Sequence, residues 1–73
     1  VSDSWITTKI KSKLLAEKDV QSLNFFVKTV NGVVFIMGAA DTEKEMNLVK
    51  SLISDTNGVK EIICYAIIKE SAE

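Results

Sequence analysis

Seventy-three residues make one domain, and a chain of that size buries only a modest core. The 47% hydrophobic content excludes a disordered polar chain, and a net charge of −1 excludes a global field that would gather nucleic acid. The absence of His removes the commonest general base and metal ligand.

In chain order, Ser2 and Asp3 offer capping oxygens ahead of an amphipathic run in which Ile6, Ile10 and Leu14 recur every four residues. The spacing predicts a first helix over about 4–17. This part is basic: residues 1–30 carry a local +2 and residues 31–73 a local −3. All nine cations are Lys, which suits diffuse attraction to an anionic surface better than bidentate grip on one phosphate. A polar loop opens at Lys18-Asp19.

Residues 24–30 are rich in aromatic and β-branched types and predict a strand. Asn31-Gly32 follows, a hairpin signal because both positions tolerate positive φ. Residues 33–38 form the return strand, ended by Gly38. Thr42 and Glu45 make a T-x-x-E capping box for a second helix over about 42–55, with Met46, Val49, Leu52 and Ile53 as its buried stripe. Asn57-Gly58 stops it, and residues 59–69 read as one long strand. Residues 71–73 should fray.

The order α-β-β-α-β predicts an α+β domain spanning 1–73. The hairpin makes the first two strands antiparallel, and the second helix carries the chain across to a parallel third strand. Both helices then cover one face of a mixed three-stranded sheet. Neighbour order within the sheet stays open at this point. No apolar run is long enough to span a bilayer, and no signal peptide is visible.

These residues resemble the BON domain family. The pattern runs from Asp3 through Ile6, Ile10, Leu14 and Val27 to Asn31-Gly32-Val33-Val34, Ile36 and Gly38, then closes on Gly58-Val59 and Ile62. Asp3-Ser4-Trp5-Ile6-Thr7-Thr8-Lys9-Ile10 and Phe35-Ile36-Met37-Gly38 are similar to the second domain of the dual-BON-domain outer-membrane lipoproteins of Gram-negative bacteria. The resemblance implies a periplasmic domain tethered to the outer membrane by a lipidated Cys upstream. It also implies binding of anionic phospholipid through the first helix and a part in envelope integrity. Residues 39–49 match only in pattern, and the final strand is more apolar than the family leads one to expect.

On a helical wheel Trp5 lies about 140° from the Ile6–Ile10–Leu14 stripe, in a row with Lys9, Ser12 and Ala16. One reading makes it an interfacial anchor, its ring among lipid glycerol and acyl groups, with Lys9 and Lys13 beside it to meet headgroups. Ser12 completes that candidate lipid-binding set. Lys11 points elsewhere and adds only to the general field. The other reading folds the Trp5 ring back over the sheet edge or the 19–23 loop as a lid, since Trp is usually largely buried.

Strand alternation divides the sheet. Phe25, Val27, Val34, Ile36, Ile62, Cys64, Ala66 and Ile68 should face the helices. Phe26, Lys28, Val30, Val33, Phe35, Met37, Ile63, Tyr65 and Ile67 should face away. Lys28 is the one charge on that second set, and so apolar a face should not stay in water. A neighbouring BON domain or a second copy of the chain would cover it, with Phe26, Val33, Phe35, Met37 and Tyr65 as the interaction face. The alternative is a β-bulge that swaps the two sets within one strand.

No catalytic constellation, cofactor site or metal site is expected. Cys64 sits mid-strand on the core-facing set with no base beside it, an inert thiol. Asp41, Glu43 and Glu45 cluster at a helix start, where the dipole favours acids; capping explains them more simply than a weak cation site. No G-x-x-G loop or basic aromatic sheet supports nucleic-acid binding.

Overall fold

The computed structural model describes residues 1–69. The elements are α1 (Asp3–Ala16), a 3₁₀ turn over Ser22–Asn24, β1 (Phe25–Val30), β2 (Val33–Ala40), α2 (Glu43–Ser54), β3 (Glu61–Cys64) and β4 (Ile67–Ile68). The expectation for residues 71–73 lies outside the described residues.

Each helix starts where a hydroxyl is available. Ser2 Oγ accepts from Trp5 N–H at 3.1 Å, and Thr42 Oγ1 accepts from Glu45 N–H at 3.1 Å. The capping box is only half formed. The Glu45 carboxylate does not return to Thr42; it accepts from Asp41 N–H at 2.6 Å and from Gln21 N–H at 2.7 Å. A buried acid thereby ties the loop after α1 to the start of α2.

β2 is the central strand. β1 pairs with it antiparallel, with Val30 opposite Val33, and β3 pairs with it parallel, with Val34 opposite Ile62. The hairpin turn places both Asn31 (φ 51°) and Gly32 (φ 82°) in the left-handed region, as the Asn-Gly pair requires. The long last strand is interrupted at Tyr65-Ala66. Its two parts keep one register against β2, Ile36 opposite Cys64 and Ala39 opposite Ile67. Gly38 does not end the second strand as expected: β2 runs on to Ala40, and the break in the last strand lies alongside Gly38, whose φ is 118°. A side chain there would drive its Cβ into the Asn24 carbonyl oxygen.

Both helices lie on one face of the sheet. Ile6, Ile10 and Leu14 of α1 meet Val27, Val34, Ile36, Val49 and Ile53 in one apolar core, with Phe25, Leu52, Ile62 and Ala66 packed against it. Truncating a fully buried member such as Ile10 to Ala would cost about 2–5 kcal/mol. The alternation therefore holds through the sheet, and the described strands carry no bulge that exchanges the two faces. Ile68, expected on the helix side, is exposed in the two-residue β4, beside Lys69, which is paired to Asp41 at 3.1 Å.

Candidate functional site

The outward side of α1 is built by the same periodicity that builds the core. With Ile6, Ile10 and Leu14 turned inward, Trp5 is left 45% exposed and outside the apolar core cluster. Lys9 and Ser12 are exposed in the next turns of the helix. Leu15 is 71% exposed on the same outward half of the helix, about 80° round the wheel from Trp5. The sequence reading placed Leu14 in the core stripe and gave Leu15 no role; its angle from that stripe was the available signal.

Lys13 is placed differently from the expectation. Its Nζ donates to Thr56 Oγ1 at 2.8 Å and to Leu52 O at 3.2 Å, and Thr56 Oγ1 in turn donates to Leu52 O at 3.0 Å. The ammonium thus closes the C-terminal turn of α2, where free carbonyls and the helix dipole favour a cation. It lies only about 60° from the core stripe, so it reaches the neighbouring helix rather than standing free beside Trp5.

Asp3 fixes α1 to the hairpin. Its two carboxylate oxygens accept from Asn31 N–H at 2.7 Å and Gly32 N–H at 2.9 Å. These bonds, with a smaller contribution from Lys60, hold the Asp3 carboxyl below its usual pKa. Thr7 Oγ1 adds a hydrogen bond to Thr29 Oγ1 at 2.8 Å. The helix is thereby held to β1 and its turn at two points along its first two turns.

The opposite face of the sheet carries the apolar set. Phe26, Tyr65 and Ile67 are well exposed, and Val33, Phe35, Met37 and Ile63 are half-buried by their neighbours. The Phe35 and Tyr65 rings stack almost parallel, 4° apart with centroids 6.5 Å distant. The structure thus brings Phe26, Val33, Phe35, Met37 and Tyr65 together on the face away from the helices.

Cys64 is half-buried, its Sγ 3.8 Å from Met46 Sδ. Among the described residues no group of three or more His, Cys, Asp or Glu could hold a metal ion, and no helix is long and apolar enough to cross a membrane. At the start of α2, the Glu45 carboxylate is already engaged by two backbone N–H groups.

The BON domain family model matches residues 2–70. A protein from the gshII 5′ region of Anaplasma centrale is 39% identical over 69 residues, covering 94% of this chain and 46% of that protein. The outer membrane lipoprotein DolP of Haemophilus influenzae is 36% identical over 61 residues, covering 84% of this chain and 31% of DolP. Osmotically-inducible protein Y of Escherichia coli is 35% identical over 60 residues, covering 82% and 30%. The chain spans less than half the length of these relatives. Among solved structures, CdsD, a structural protein of the type III secretion system of Chlamydia trachomatis, shares the fold. Its TM-score is 0.81 over 99% of this chain and 34% of CdsD, at 14% identity.

Proposed function

The chain belongs to the BON domain family, and from that premise we propose that it is a non-enzymatic module that binds anionic phospholipid through the outward side of α1. The observation that carries the reading is the pairing of a half-exposed indole with an exposed ammonium, Trp5 and Lys9, on a helix whose other outward residues include Ser12 and Leu15. An indole buries its body at the level of the lipid glycerols while its N–H stays hydrated. Each Lys near an anionic surface contributes about 1 kcal/mol. The helix lies on the bilayer and does not cross it. Lys13, its ammonium committed to α2, stands at the margin of this contact.

Similarity to an outer membrane lipoprotein supports placing the module in the periplasm, against the inner leaflet of the outer membrane, in support of envelope integrity. The test is sedimentation with vesicles. The chain should pellet with phosphatidylglycerol vesicles and stay in the supernatant with phosphatidylcholine. Trp5→Glu should abolish pelleting and Lys9→Glu should weaken it, neither unfolding the chain, since both side chains lie outside the core. Undiminished pelleting of both variants would rule out this face.

A second reading rests on the exposed apolar sheet face and uses a different surface. That face docks a protein, either a neighbouring BON domain or a second copy of this chain, around the stacked Phe35 and Tyr65. Sedimentation equilibrium should then show concentration-dependent association lost in Phe35→Lys or in the more exposed Tyr65→Lys. A chain that stays monomeric and docks no BON domain would exclude it.

A further inference from the structure

Between the second half of α1, the 3₁₀ turn and β1 lies an open cavity of about 240 Å³. Buried Leu14 and Val27 and half-buried Phe25 form its floor. Two leucines stand at its rim, Leu15 at 71% and Leu23 at 96% exposure. Leu23 belongs to a three-residue 3₁₀ turn, so no helical period turns it inward. The polar lining is Lys11 and Ser22. Among the described residues neither side chain has a hydrogen-bond or ion-pair partner, and no acid lines the cavity.

We propose that this groove binds the hydrocarbon chain of a fatty-acid anion, with the Lys11 ammonium meeting the carboxylate. Apolar floor and rim match an alkyl chain, and a single cation at the mouth matches a single negative charge. The Ser22 hydroxyl is available as a second donor. The groove, about 240 Å³ and open to solvent, seats a short stretch of alkyl chain. Octanoate and decanoate serve as probes of about that length. Leu15 is shared between the groove rim and the outward side of α1, but the mouth at Lys11 lies about 120° round the wheel from Trp5, so Lys11→Gln and Trp5→Glu separate the two contacts.

The test is an NMR titration of the ¹⁵N-labelled chain with octanoate and decanoate below their micelle concentrations, with octyl glucoside as the neutral control. Saturable shifts should cluster at residues 11–15 and 22–27. Each added methylene should tighten binding about two- to fourfold until the groove is filled. Lys11→Gln should erase the preference for octanoate over the neutral amphiphile. Leu23→Asp, at a position too exposed to affect folding, should weaken both at least tenfold. Shifts centred on Trp5 or on the Phe35–Tyr65 face would overturn the proposal. So would titrations in which Lys11→Gln and Leu23→Asp behave like the unaltered chain.

Discussion

Asp3 is a single side chain that joins two elements distant in sequence. Because it accepts two backbone N–H bonds in the folded state, its pKa lies below that of the unfolded chain. The stability it contributes is therefore present in full above about pH 4 and is lost as pH falls through the lowered folded value. Asp3→Ala should melt at a lower temperature than the unaltered chain at pH 7. The gap between the two melting curves should close as the pH is taken below about 4. Gly38 is the second residue whose identity the backbone dictates. A Cβ there meets the Asn24 carbonyl oxygen, at a φ that L side chains rarely adopt. Gly38→Ala should cost roughly 2–4 kcal/mol in chemical unfolding, more than an ordinary surface change.

At the scale of elements, Lys13 separates the two tasks of α1. Its ammonium braces the last turn of α2, a bond worth about 1 kcal/mol net. Lys13→Met should lower stability by about that amount and leave vesicle pelleting near normal. The reverse pattern, unchanged stability with lost pelleting, would return Lys13 to the lipid contact. The hairpin, both N-caps and the inward and outward strand faces were legible because each depends on residues within a few positions of one another. Asn31-Gly32 carries its turn by itself, and Ser2 needs only Trp5 N–H. Lys13, Asp3 and Glu45 find their partners 43, 28 and 24 residues away. A wheel tells which way such a side chain leaves the helix and not what it meets. The break at Tyr65-Ala66 was hidden for a related reason: it lies across from Gly38, on another strand. Leu23 was unreadable because a short 3₁₀ turn has no period to project.

At the scale of the molecule, charge is weakly negative overall yet positive along the first thirty residues. Attraction to an anionic bilayer would then be local and screenable. The Debye length shrinks from about 30 Å at 0.01 M salt to about 3 Å at 1 M. Binding to phosphatidylglycerol vesicles should accordingly fall several-fold across that range. A residual fraction carried by Trp5 should resist salt and disappear in Trp5→Glu. Binding indifferent to salt would mean that the lysines take no part.

Because Asp3 and Thr7 clamp the helix to the hairpin, α1 cannot swivel independently of the strands. Whatever grips its outer side sets the attitude of the whole domain. A lipid leaflet beneath α1 would leave the stacked aromatic pair facing the aqueous compartment, one domain thickness above the headgroups. A docked molecule would ride there as an upper storey, neither competing with lipid for space nor needing any rearrangement of the chain that carries it.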